Sequence, residues 1–246
     1  MSIFKSFFKS LDFSIERNTL PVALRQIIEK HWGRMDIIAS KKTLGILKKG
    51  SALVICNHPY ELDIFPILAA LPRRQDVYLV ASANFLGLGP NIDKHIIPVY
   101  IRHTELKSTK WSVWIGSHLS LKAPLPRDKS QAKNNKSLTV AAEKINDGSV
   151  VLFSPEGPMG IKGGWGTGIG LLINQIKNPN NSYLVMAHAS GVTTLDHFRF
   201  LPGVRNLYPK IGVQFYEPIK LSTFEVLGSP TEITRTLRAR YYRVVG

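Results

Sequence analysis

Apolar positions along this chain follow two periods. Short, nearly continuous apolar runs are separated by stretches in which apolar residues recur every three or four positions. The runs Ser51 to Cys56, Val77 to Ala81, Ile96 to Ile101, Val150 to Phe153, Tyr183 to Ala187 and Ile211 to Tyr216 predict strands. Ser51 to Cys56 has almost no polar position, as in a strand covered on both faces. Helical spacing predicts helices over Ile64 to Leu71, Leu138 to Ile145 and Ile169 to Ile176. In the second, Leu138, Ala141, Ala142 and Ile145 form the apolar stripe and Gly148 follows its end. Ser229, Pro230 and Glu232 supply a cap, a first-turn proline and a capping-box acid for a last helix. Strands alternating with helices predict an α/β domain with a mixed, largely parallel sheet flanked by helices. No internal repeat is present.

Two regions depart from this alternation. Residues 1–34 predict a small helical element ahead of a main domain over 35–246. Ile3, Phe4, Phe7, Phe8 and Leu11 share one helical face, with Lys5, Ser6 and Lys9 around the rest. Such a helix can lie at a lipid interface, rings in the headgroup boundary and ammonium groups on phosphates, or dock on the protein's own core. A second helix is expected near Pro21, capped by Thr19 or Leu20, with Leu24, Ile27, Ile28, His31 and Trp32 as its stripe. Residues 103–136 read as an irregular basic insertion. It carries Lys107, Lys110, Lys122, Arg127, Lys129, Lys133 and Lys136 against Glu105 and Asp128, together with Trp111 and Trp114. Cations beside tryptophans suit a membrane surface or a nucleotide phosphate; a solvated loop has the same composition.

Composition narrows the class. With 246 residues, 44% hydrophobic and 20% charged, the chain is long enough for one large folded domain. Its net charge of +15 implies a polyanionic neighbour. One cysteine excludes an internal disulfide framework. No apolar run reaches the roughly 18 residues of a spanning helix, and the N-terminus lacks a signal-peptide pattern. A secreted scaffold and a multi-pass transporter are thereby set aside.

Asn57-His58-Pro59-Tyr60-Glu61-Leu62-Asp63 is the strongest chemical signal. It follows a predicted strand and precedes a predicted helix, the place where α/β domains keep their sites. Asp63, near the first helical turn, can reach back to the imidazole of His58, fixing its tautomer and orientation. A His–Asp pair without a neighbouring serine nucleophile suggests direct attack by a substrate hydroxyl. Phe153-Ser154-Pro155-Glu156-Gly157-Pro158 follows another strand, and its turn residues project Glu156 at the sheet edge, where it can hold a hydroxyl. Cys56, two residues before His58, is the one candidate for a covalent nucleophile, although strand cysteines are usually buried and inert. His95, His103, His118, His188 and His197 show no metal-ligand spacing. Gly163 to Gly168 lacks the ending of a phosphate loop and reads as a turn into a helix.

These motifs resemble those of the glycerolipid acyltransferases related to lysophosphatidic acid acyltransferase. Asn57, His58 and Asp63 match the first block. Ile97 to Arg102 resembles the second, Ser154 to Gly157 with Lys162 and Gly166 the third, and Leu184 to Ala187 faintly the fourth. The chain departs at Ser154 for a usual Phe, Pro158 for a usual Thr, Met186 for a usual Pro, and in lacking the Arg that commonly follows the third block. The gap between the first and third blocks is also lengthened. The resemblance implies an acyltransferase fold and a reaction in which His58 activates an acceptor hydroxyl and Asp63 orients it. Arg102 and Lys162 would clamp the acceptor phosphate, while Asn57, Glu156 and Gly157 would position the acceptor. It implies acyl-CoA or an acyl carrier protein as donor and a lysophospholipid as acceptor, first of all 1-acyl-glycerol 3-phosphate giving phosphatidic acid, with glycerol 3-phosphate or another lipid alcohol as the alternative. No cofactor or metal is implied, and residues 1–34 become a membrane-binding element: attachment is to the cytoplasmic face of a membrane, peripheral or monotopic, through the Phe-rich N-terminal helix and cationic patches. A nucleic-acid footprint from Arg235, Arg238, Arg240 and Arg243 with Tyr241 and Tyr242 is the competing binding class, but no nucleic-acid module is recognisable. The intact His58 and Asp63 stand against an inert lipid-binding module.

Overall fold

Every residue of Ser51–Cys56 is buried, as its unbroken apolar run requires. This run is β2, the centre of a sheet described by a computed structural model covering residues 2–56, 58–60, 62–100, 126–156, 164–201 and 203–245. The other strands are β1 (Asp36–Ile38), β3 (Val77–Ser82), β4 (Ile96–Val99), β5 (Val150–Phe153), β6 (Ser182–Ser190), β7 (Gly212–Phe215) and β8 (Ile219–Lys220). They form an eight-stranded sheet in the order β1-β7-β6-β2-β5-β3-β4, with β8 beside β6. All pairings are parallel except those of β6 with β7 and with β8. In register, Ile55 lies opposite Phe153 and Cys56 opposite Ala187. The carboxyl ends of β2, β5 and β6 therefore emerge together at one edge of the sheet.

Helices cover both faces. On one, α1 (Ser2–Arg17), α2 (Leu20–His31) and α4 (Ile64–Ala70) pack on Val54, Cys56, Leu152 and Val185. On the other, a helix over Arg127–Asn146 (α6), α7 (Gly168–Ile173) and α8 (Pro230–Val245) pack on Leu53, Ile55, Val151 and Met186. The short helices α3 (Lys41–Lys49) and α5 (Pro90–Asp93) complete the set. Ser40 caps α3, its hydroxyl accepting the Thr43 N–H at 3.1 Å. Close packing of α7 on α8 depends on Gly170, where a Cβ would lie 2.0 Å from the Pro230 carbonyl oxygen.

The N-terminal helix docks on the protein. Leu11 and Ile15 join the core, and Phe7 packs on Phe65 and Phe200 with ring centroids 5.8 and 5.0 Å away. The Asp12 carboxylate accepts the Asn91 and Ile92 N–H groups at 2.7 and 3.0 Å, tying α1 to the start of α5. Among the described residues, no helix is long and apolar enough to cross a membrane.

The irregular insertion expected over 103–136 is corrected at its end: residues 127–136 are the first half of α6. Its inward stripe begins with Ser130, Asn134 and Ser137 and turns apolar only at Leu138. The polar half serves the edge strand β4. The Asn134 side-chain oxygen accepts the Tyr100 N–H at 2.7 Å, and the Ser137 hydroxyl donates to the Pro98 carbonyl at 2.6 Å. An amphipathic pattern cannot reveal a helix whose inner face is polar. Residues 103–125, with Trp111 and Trp114, lie outside the described residues. Strand β1 and helix α3 were not foreseen. The helix expected to reach Ile176 stops at Ile173, and the strand expected to end at Ala187 continues to Ser190.

Candidate active site

Directly after β2, His58 donates Nδ1–H to Asp63 Oδ1. Asp63 Oδ2 accepts the Tyr60 N–H at 2.9 Å. Both carboxylate oxygens are thus used within the turn, and Asp63 makes no side-chain cap on α4 although it sits at its start. Asp63 is 2% exposed, whereas His58 keeps 23% of its side chain open to solvent. With Nδ1 committed to the carboxylate, the basic lone pair of the imidazole belongs to Nε2.

The turn is held from behind. Arg25 of α2 donates Nε–H to the Ala69 carbonyl at 2.8 Å and Nη2–H to the Leu71 carbonyl at 2.9 Å. It satisfies the free carbonyls at the end of α4 and thereby fixes the helix that carries Asp63. At the opposite edge of the sheet, Arg74 pairs with Asp76 and donates to the Leu47, Gly50 and Gly148 carbonyls. This guanidinium ties together the segments entering β2, β3 and β5.

Glu156 follows β5 and is 5% exposed. Its Oε1 accepts the Trp165 indole N–H at 3.3 Å; its Oε2 is buried with no partner among the described residues. An unpartnered buried carboxylate oxygen is costly and calls for a donor such as a ligand hydroxyl. Ser154 Oγ, His188 Nδ1 and the Tyr242 hydroxyl are likewise buried and unpartnered among the described residues. Trp165 packs on Tyr241 and Tyr242 of α8, and the Tyr241 hydroxyl donates to the Ala187 carbonyl at 2.9 Å. Trp165, Tyr241 and β6 so connect Glu156 to the strand that pairs with Cys56.

Electrostatics place these groups in one neighbourhood. Burial pushes the Cys56 thiol well above its ordinary range, and the Asp63 and Glu156 carboxylates push it further. Cys56 is fully buried and held as a thiol, so the covalent acyl-cysteine is set aside. Burial holds His188 below the usual imidazole value, opposed by the Asp63 carboxylate. His188 is therefore neutral near pH 7 and lies close enough to feel the His58–Asp63 pair.

The chain's nearest sequence signals do not extend to a family: no protein-family model and no curated protein matches it. Its fold is similar to the crystal structure of the 1-acyl-sn-glycerophosphate (LPA) acyltransferase PlsC from Thermotoga maritima. That similarity has 16% sequence identity and a TM-score of 0.48, and covers 98% of this chain and 87% of that one.

Of the residues singled out from the sequence, the structure brings His58 and Asp63 into contact and places Glu156 beside the same sheet edge. Asn57, Arg102, Gly157 and Lys162 lie outside the described residues. Trp165 and His188 carry no site role in the sequence reading. Trp165 sits in a stretch that reads as a turn. His188 becomes visible only once β6 is known to continue beyond Ala187 alongside β2.

Proposed function

We propose that this protein is an O-acyltransferase. It moves a fatty acyl group from an acyl thioester to a hydroxyl of a lysophospholipid, with 1-acyl-glycerol 3-phosphate as the first candidate acceptor and phosphatidic acid as product. The observation that carries the proposal is the His58–Asp63 hydrogen bond at the carboxyl end of the central strand, with the Glu156 oxygen that has no partner among the described residues after the neighbouring strand β5.

In the proposed reaction, His58 Nε2 removes the acceptor's hydroxyl proton as the oxygen attacks the thioester carbonyl. Asp63 holds the ring and stabilises the imidazolium through the Nδ1–H bond. Collapse of the tetrahedral intermediate breaks the C–S bond, and the imidazolium proton leaves with the thiol. Glu156 Oε2 accepts a hydrogen bond from an acceptor donor other than the attacking hydroxyl: a protonated phosphate oxygen in 1-acyl-glycerol 3-phosphate, or the second hydroxyl in glycerol 3-phosphate. Trp165 fixes the other oxygen, so the carboxylate is oriented before the acceptor arrives. Arg102 and Lys162 complete the proposal as the phosphate clamp, a role that follows from the motif resemblance. The donor is acyl-CoA or an acyl carrier protein, and the acceptor is met at a membrane surface by a peripheral enzyme.

The test is product mass spectrometry with purified protein, a panel of lysophospholipids plus glycerol 3-phosphate, and the two donor types. A diacyl product is expected from at least one lysophospholipid, lost in His58→Ala. Product formation by His58→Ala at the wild-type rate would overturn the assignment.

A further inference from the structure

The segment after β6 is built inside out. Asp196–Phe200 is a 3₁₀ helix, in which residues three apart lie above one another. Asp196 and Arg199 share one edge and point inward, each with a side chain that is 0% exposed. Leu195, Phe198 and Leu201 share another edge and point outward, at 57%, 53% and 39% exposure. Leu207, in the next 3₁₀ turn (Arg205–Leu207), is 80% exposed. A water-facing turn ordinarily shows the reverse arrangement, charges outside and apolar residues within.

The inner edge makes the turn rigid. Arg199 Nε–H donates to Asp196 Oδ1 at 2.7 Å, and its other nitrogens donate to the Pro209 and Gly191 carbonyls at 3.1 and 2.7 Å. Its guanidinium also lies over the rings of Tyr208 and Trp32. Asp196 accepts the Thr193 N–H and hydroxyl at 2.8 and 3.0 Å. The Tyr208 hydroxyl donates to the Leu195 carbonyl at 3.1 Å, closing the second turn on the first. At the base, Gly191 has φ +74, and a Cβ there would meet the Lys210 carbonyl oxygen at 2.1 Å. A buried ion pair with its hydrogen bonds satisfied thus holds four large apolar side chains out toward solvent.

We infer that Leu195, Phe198, Leu201 and Leu207 form a preorganised wedge that docks this face of the protein into the headgroup boundary of an anionic lipid bilayer. Charge complementarity selects this occupant. The chain carries +15, and Phe200, the third edge of the same turn, packs on His31 and Trp32, which are flanked by the exposed cations Lys30 and Arg34. Size argues against a second copy: four such side chains present about 400 Å², roughly half of one side of a specific protein interface. The choice of a lipid partner rests on the acyltransfer reading, but the surface is tested without turnover, so the two fail separately.

The test is sedimentation of the full chain with vesicles of phosphatidylcholine and phosphatidylglycerol, comparing wild type with the triple variant Leu195→Ser, Phe198→Ser, Leu207→Ser. The substituted side chains are exposed, so the melting temperature should not change. Vesicle binding should fall about a hundredfold, as expected when several apolar side chains leave the interface. A second readout is an environment-sensitive dye on Leu207→Cys. Cys56, the chain's one native cysteine, is buried and will not take the label. A blue shift on adding vesicles is expected. Wild-type binding by the triple variant, or no dye shift on vesicles that bind the protein, would overturn the wedge. So would loss of self-association in the triple variant with vesicle binding intact, which would assign the face to a second copy.

Discussion

Asp63→Asn separates the chemistry of the candidate site from its architecture. The carboxylate now accepts from two fixed donors, His58 Nδ1–H and the Tyr60 N–H, the latter at 2.9 Å. An asparagine has one accepting oxygen and one donating nitrogen. The Tyr60 N–H cannot change its role, so the amide oxygen stays with it and the amide nitrogen turns to His58. That contact survives only if Nδ1 loses its proton and accepts, which moves the ring proton to Nε2. The imidazole is then oriented as before but has no lone pair for the acceptor hydroxyl. The expected loss is that of a general base, roughly 10²–10⁴-fold in kcat, with KM for both substrates nearly unchanged. Stability should fall by no more than about 1.5–3 kcal/mol, the range for a hydrogen bond to a charged group. The assay is continuous detection of the released thiol, with thermal melting run alongside. Cys56 does not interfere, being buried. A kcat within threefold of wild type, or a loss appearing only in KM, would refute the assignment of His58 as base and Asp63 as its orienting partner.

Three further outcomes follow from the packing. Arg199→Met leaves the Asp196 carboxylate buried without its cation, and should cost about 3–5 kcal/mol in chemical denaturation; adding Asp196→Leu should recover part of it, because the unpaired charge is then gone while the Thr193 N–H and the Gly191 and Pro209 carbonyls still lack their partners. Asp12→Ala frees the Asn91 and Ile92 N–H groups at the start of α5 and should cost about 0.5–2 kcal/mol, with proteolysis within α1 accelerated. Acid should destabilise the fold beginning near the ordinary imidazole value of 6.5: burial lowers His31, His95 and His188, so below that pH the unfolded chain binds protons that the folded chain does not, and stability falls as pH falls. His95→Gln should flatten the fall in melting temperature between neutral and mildly acidic pH; an unchanged slope would show that His95 does not contribute.

Legibility divides along physical lines. The central strands were readable because burial on both faces demands an unbroken apolar run, and Ser51 to Cys56 is one. The last helix was readable because Pro230 and Glu232 mark its first turn locally. The beginning of α6 was not, since Ser130, Asn134 and Ser137 meet a strand edge with hydrogen bonds and leave no hydrophobic period. The turn at 195–201 was unreadable for the opposite reason. Its charges are buried and its apolar residues exposed, so pattern and burial disagree. For α1, the Phe-rich face left lipid and core docking equally open; in the fold, Phe7 of that face packs on Phe65 and Phe200.

By itself the amino-acid order determined the alternating α/β class and the reach of Asp63 to His58, because both depend on neighbours within a turn or two, where local geometry leaves few arrangements. Only the tertiary structure brought Glu156 to the Trp165 indole and set His188 within the field of Asp63. They arrive from β5, from the approach to α7 and from β6, and parallel pairing with β2 brings distant segments to one edge. Strand order and register arise from summed contacts across the whole sheet, and no spacing along the chain encodes them.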